Sequence, residues 1–97
     1  MGFRVKIKPA AVADLAGIVS YVACRNREAA MRLGDALLDA ALSLSEAPFK
    51  GSRYQKLPGV RRIALRPYKI FYRVDEASQL VEVLRFWHSS RDEPDLS

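Results

Sequence analysis

Apolar and polar residues alternate from the start of the chain, with Phe3, Val5 and Ile7 interleaved with Arg4, Lys6 and Lys8. A period of two is that of a strand with one face buried, so a strand is expected over Arg4–Lys8. Pro9 then supplies a fixed φ that suits the first position of a helix. Val12, Leu15, Ile18, Val19 and Val22 recur at three- and four-residue spacing and predict one apolar helical stripe, with Asp14 complementing the positive end of the helix dipole. Cys24 falls at the end of this helix and reads as a small packed residue, because no second histidine or acid accompanies it as a nucleophile would require. Arg25-Asn26-Arg27 is a polar break, and Asn26 is the expected N-cap of a second helix running to about Glu46, before Pro48. That helix carries two apolar seams, Ala30, Leu33, Leu37, Ala40 and Leu44 beside Met31, Leu38 and Leu42, wide enough to pack on both the first helix and a sheet. Gly34, costly inside a helix, points to close approach by a neighbouring backbone.

The period changes again after Phe49–Gly59, a connection punctuated by Gly51, Pro58 and Gly59. Three segments rich in Val, Ile, Tyr, Phe and Leu follow, separated by Arg66-Pro67 and by Asp75–Gln79, and predict two linked hairpins. The order is strand, two helices, three strands: an α+β fold, β-α-α-β-β-β, in which a helical hairpin covers one face of a small, mostly antiparallel sheet. No repeat or linker interrupts it, so residues 1–97 read as a single domain, long enough for one core.

Alternation also assigns faces. Arg61, Ile63 and Leu65 fall on one side of the second strand and Arg62, Ala64 and Arg66 on the other, which makes Arg62 and Arg66 the candidates for an open face. In the third strand Tyr68, Ile70, Tyr72 and Val74 oppose Lys69, Phe71 and Arg73, both sides carrying apolar groups as in a central strand. The last strand, from Val81 to His88, yields no unambiguous face. Arg85 lies within it among apolar neighbours and needs a partner if buried, with Glu82 or Asp92 within reach.

Charge sharpens the picture. The chain carries 16 Lys and Arg against 11 Asp and Glu, a net charge of +5. Between Pro48 and Val74 stand Lys50, Arg53, Lys56, Arg61, Arg62, Arg66, Lys69 and Arg73 with no carboxylate among them. Such an uncancelled field favours an anionic partner, whether nucleic acid, nucleoprotein or an acidic protein segment, although a solvated sheet face bearing solubility charges has the same composition. A lone cysteine and the lack of Cys/His ligand spacing imply neither disulfide nor metal and suit a reducing cytoplasm. Arg4, Lys6 and Lys8 ahead of an apolar stretch imitate a secretion signal, but Asp14 interrupts that stretch and the strand alternation contradicts it. No apolar run reaches the ~20 residues that crossing a bilayer requires.

Three segments carry a family resemblance: Pro58-Gly59-Val60-Arg61-Arg62, Tyr68-Lys69-Ile70-Phe71-Tyr72-Arg73-Val74, and Val83-Leu84-Arg85-Phe86-Trp87-His88-Ser89-Ser90-Arg91-Asp92. In this order of elements they resemble the RelE/ParE superfamily of toxins from bacterial type II toxin–antitoxin modules, and Ala13-Asp14-Leu15 with Ile18 and Tyr21 is similar to the ParE branch. The resemblance implies an intracellular poison held inactive by a cognate antitoxin whose tail, with acidic and apolar anchors, folds against it. Operator DNA would be reached only through that antitoxin. It further implies one of two targets, DNA gyrase for ParE-like members or ribosome-bound messenger RNA for RelE-like members. No cofactor is implied.

RNA cleavage needs a base for the ribose 2′-hydroxyl, an acid for the leaving oxygen and cations for the developing phosphorane. Lys69 and His88 would supply acid and base, with Arg62, Arg66, Arg73 and Arg85 as stabilisers, although a lone histidine after such a strand is more often a hydrogen-bonded structural group. The nuclease branch commonly ends in an aromatic or Tyr-bearing tail, whereas this chain ends Ser89–Ser97, polar and partly acidic. Gyrase inhibition therefore leads, with Arg62, Arg66, Lys69, Arg73, Trp87 and Arg91 as the surface for target or antitoxin. The RelE-like nuclease is the alternative, and an inactive toxin retained only for antitoxin binding is a second.

Overall fold

The computed structural model describes residues 2–96. In chain order its elements are β1 (Arg4–Ile7), α1 (Pro9–Ala23), α2 (Arg27–Leu42), a 3-10 turn (Ser43–Ser45), β2 (Ser52–Arg53), β3 (Val60–Leu65), β4 (Tyr68–Asp75) and β5 (Leu80–His88). The sheet order is β1-β5-β4-β3-β2, parallel between β1 and β5 and antiparallel elsewhere. The expected plan of a helical hairpin on one face of a mostly antiparallel sheet holds. β2 is an addition: two residues inside the 49–59 connection pair with Arg61 and Arg62, too few to show a period.

The helices depart from their expected stripes at single positions, with Leu15, Ile18, Val19 and Val22 of α1 half-buried as expected. In α1 Ala11 is fully buried with Leu15 and Ile18 packed beside it, while Val12 is 53% exposed. The stripe thus runs through i, i+4 and i+7 from Ala11, one position back from the expected start. Asn26 Oδ1 accepts the Ala29 N–H at 3.0 Å, so the N-cap of α2 is as expected. Of the two seams on α2 the first is covered throughout, Ala30 and Leu37 buried with Leu33 and Ala40 alongside, whereas in the second Leu38 is half-buried but Met31 is 63% exposed and Leu42 is exposed too; Ala41, in neither seam, is fully buried. α1 and the short-stranded sheet reach only one flank of this helix. It ends at Leu42 rather than Glu46, and the 3-10 turn carries buried Leu44 onward over the sheet. At Gly34 a Cβ would lie 3.0 Å from Val19 Cγ2, so the close approach is to a side chain of α1, not to backbone. Cys24 is exposed at the C-terminal end of α1, not packed.

On the helix side of the sheet Ile70, Tyr72, Val81, Val83 and Phe86 are buried. Tyr68 and Tyr72 face the helices, as the alternation of β4 predicts. Tyr72 Oη accepts the Gly51 N–H at 3.0 Å, and Arg61 reaches from β3 to the carbonyls of Gly51 (2.8 Å) and Phe49 (3.2 Å). These bonds tie the connection to the sheet. Burial pushes the Tyr72 phenol up, against smaller lowering effects from the Gly51 hydrogen bond and the Arg61 charge.

A β-bulge explains why β5 yields no single face. Phe71 pairs with Arg85 but Tyr72 pairs with Val83, which leaves Leu84 as an extra residue. Val81 and Val83 face the helices before the bulge, and Phe86 does so after it. Strict alternation would have sent Arg85 and Trp87 inward. The bulge places them on the outer face beside Phe71 and Lys69.

That outer face carries apolar groups beside its cations, as the alternation of β4 leads one to expect. Tyr54, Val60, Phe71 and Leu84 form a second apolar cluster, with Leu57, Trp87 and Leu96 packed against it. The connection before β3 and the tail after β5 thus supply a partial cover where the helices cannot reach.

Candidate partner-binding face

Register brings the outer-face groups together. Lys69 lies opposite Trp87, and Phe71 lies between Arg62 and Arg85. Arg62, Lys69, Trp87 and Arg91 line a cleft of about 90 Å³ floored by Phe71, with Glu93 and Pro94 of the tail at its rim. Two guanidinium groups approach the face of Trp87, Arg91 at 4.1 Å and Arg85 at 4.7 Å from the ring centroid, and the indole Nε1 donates to the Asp92 carbonyl. Arg62 stacks over Tyr54 at 5.6 Å. Cations above aromatic faces hold their charge at the surface while the rings stay packed.

Arg85 is engaged on its second side. Its Nε and Nη2 donate to Asp14 Oδ2 (2.6 Å) and Oδ1 (2.8 Å), a bidentate pair in which both side chains are largely buried. Oδ2 also accepts the Phe86 N–H at 3.2 Å. β1 stops at Ile7, opposite Val83, so the edge of β5 beyond that point has no neighbouring strand and a carboxylate from α1 takes its place. The hydrogen bond to Asp14 raises the Arg85 pKa above its ordinary value, burial opposes this, and the charge of Asp14 and then of Asp95 adds to it. Asp14 is therefore neither a dipole partner nor a surface charge. It supplies the partner that Glu82 and Asp92 were expected to provide: Glu82 instead faces Arg73 and contacts Lys8 at 3.8 Å.

The remaining candidates lie apart. His88 faces the helix side, edge-on to Tyr68 at 5.2 Å between centroids, and lines a groove with Ile18 and Tyr21 of α1. Its Nδ1 accepts the Ser90 N–H at 3.1 Å and lies 2.7 Å from Ser90 Oγ. Arg66 is exposed in the β3–β4 turn. Arg73 sits four residues along β4 from Lys69, about 13 Å at ~3.3 Å per residue. The fold thus gathers Arg62, Lys69, Trp87 and Arg91, ties Arg85 to α1, turns His88 into a helix-side groove that Arg91 also lines, and sets Arg66 and Arg73 apart.

Asp14, Tyr54, Lys56 and the tail belong to this face without having been singled out for it. Asp14 carries a legible signal, a carboxylate within an apolar stripe, which asks for a cation from another element. Among the described residues no group of His, Cys, Asp and Glu side chains is placed to hold a metal ion, and no helix is long and apolar enough to cross a membrane.

Known structures share this architecture. A chain of the chromosomal ParDE system of P. aeruginosa matches with a TM-score of 0.77 at 22% identity, over 89% of this chain and 95% of that one. A chain of the RelBE2 toxin–antitoxin complex of Mycobacterium tuberculosis matches with a TM-score of 0.68 at 23% identity, over 91% and 99% respectively. A double-arginine mutant of E. coli RelE toxin in the free state gives 0.67 at 17% identity, over 93% and 86%. Among curated proteins no sequence matches significantly. Residues 5–93 match the family described as the ParE toxin of the type II toxin–antitoxin system parDE. With nearly its whole length accounted for by that match, the chain belongs to the ParE toxin family of type II toxin–antitoxin systems.

Proposed function

We propose that this toxin acts in the cytoplasm by binding and inhibiting DNA gyrase, and that a cognate antitoxin neutralises it by covering the outer face of the sheet. The observation that carries this reading is the dispersal of the groups a nuclease would need. Lys69 opens to the outer face, His88 faces the helices and is hydrogen-bonded to Ser90, and Arg85 has its guanidinium committed to Asp14. General acid–base cleavage requires base, acid and cations around one phosphate. A target protein or an acidic, amphipathic antitoxin segment requires only a cationic surface with an apolar anchor, which Arg62, Lys69, Arg91 and Trp87 supply.

One observation favours the RelE-like alternative: Lys69, Arg62 and Arg91 share one cleft, a group of cations able to hold a phosphate. The decisive experiment is expression of the chain without its antitoxin, read for DNA-damage signalling, gyrase-trapped DNA and cleavage of translated messages. Gyrase-trapped DNA is expected. Intact chromosomes with ribosome-dependent message cleavage, abolished by Lys69→Ala or His88→Ala, would transfer the assignment to the nuclease, and harmless expression would mark a toxin kept only for antitoxin binding.

A further inference from the structure

We propose that the outer face is a docking groove for an acidic, proline- and leucine-bearing peptide segment, and that the chain's own tail, Asp92–Leu96, occupies it in cis. The tail contacts the face at every step. The Asp92 carbonyl accepts from Trp87 Nε1, and Glu93 Oε1 lies 3.2 Å from Lys56 Nζ. Pro94 is buried, Asp95 sits by Arg85, and Leu96 packs on the cluster of Tyr54, Phe71 and Leu84. From Glu93 onward acidic and apolar groups alternate, Glu93 meeting Lys56, Pro94 buried, Asp95 beside Arg85 and Leu96 on the apolar cluster. A solvated segment would leave its proline exposed and the carboxylates of Glu93 and Asp95 unmatched. The chemistry that seats the tail defines the partner: an extended segment with carboxylates flanking a proline and a leucine two residues further on.

The inference deepens the proposed function and rests on its assignment of the outer face to partners. An occupied groove adds a threshold. A tethered segment acts at an effective concentration on the order of mM, so one that binds on the order of 0.1 mM in trans weakens an incoming peptide roughly tenfold. A partner must displace the tail before it reaches Lys56, Arg85 and Trp87.

Trp87 is the chain's one tryptophan and lies in the groove, so its fluorescence reports on this site alone. The full chain and its Glu93→Lys/Leu96→Ala variant are compared by acrylamide quenching, then titrated with a synthetic peptide of residues 91–97. The variant is expected to quench more readily, and the peptide to restore protection saturably, at a concentration on the order of tenfold lower than any effect on the unaltered chain. Leu96→Ala alone serves if the double variant fails to fold, and Lys56→Glu combined with Glu93→Lys is expected to return quenching to the unaltered level. Equal quenching of the two chains, or a peptide without effect on the opened variant, would overturn the proposal. Gyrase plays no part in the assay, so failure here leaves the target assignment standing, and failure of gyrase inhibition leaves the groove.

Discussion

Replacing Asp14 by alanine removes three hydrogen bonds at once, two from Arg85 and one from the Phe86 N–H. The Asp14 and Arg85 side chains retain only 12% and 22% of their surface. Removing one member of a buried ion pair costs about 3–5 kcal/mol, because the other is left charged and unmatched. Arg85 keeps some solvent, the Trp87 ring and the nearby Asp95, which lowers the expected loss to about 3 kcal/mol with the orphaned Phe86 N–H included. At ~4–8 °C per kcal/mol for a domain of this size, the melting temperature should fall by about 12–24 °C. Asp14→Asn keeps an oxygen for Phe86 and should cost roughly half as much. Asp14→Ala with Arg85→Met should cost less than the two single changes together, by at least about 1.5 kcal/mol, since the stranded charge is gone. Urea unfolding followed by far-UV circular dichroism measures all four chains. A loss below about 0.5 kcal/mol for Asp14→Ala, or additivity in the double variant, would show that the carboxylate does not hold β5 to α1.

Tyr72→Phe strands the Gly51 N–H and should cost about 1–3 kcal/mol at neutral pH in the same unfolding assay. The Tyr72 pKa is raised from 10.0, so the stability its neutral form contributes is fully present below pH 10 and is lost as pH climbs through the higher folded-state value; Tyr72→Phe should flatten this alkaline decline, followed by circular dichroism against pH. At Gly51 a Cβ would sit 2.6 Å from Tyr72 Oη and 2.7 Å from the Arg62 carbonyl, so Gly51→Ala should destabilise by at least ~2 kcal/mol and lower the thermal midpoint accordingly. Asn26→Ala removes the side-chain cap on α2 at a cost of about 1 kcal/mol, with amide exchange rising first at Ala29.

Much of the architecture is legible in the periods of the sequence. The alternation in Phe3–Lys8, the helical spacing from Pro9 onward and the cap at Asn26 each rest on a local rule that the fold obeys. The exceptions are long-range. No local pattern tells that Leu84 is the odd residue of a bulge, yet this residue alone decides whether Arg85 and Trp87 face helices or solvent. Val12 and Met31 are apolar at helical spacing, but whether a flank is covered depends on how far α1 and the sheet extend beside it. The candidate face shows the same division. Its charges are evident from composition, whereas the gathering of Arg62, Lys69, Trp87 and Arg91 depends on strand register, and the separation of His88 depends on the bulge.

The parallel pairing of β1 with β5 joins the first strand to the last, so the two helices have no complete layer to rest on until nearly all of the polypeptide has been made. Contacts so distant along the chain cannot form during early synthesis. A nascent molecule should stay unstructured until β5 has cleared the translating ribosome, and harm to the host should begin only then. An antitoxin would thereby gain a short interval in which to meet its ward before the folded poison exists.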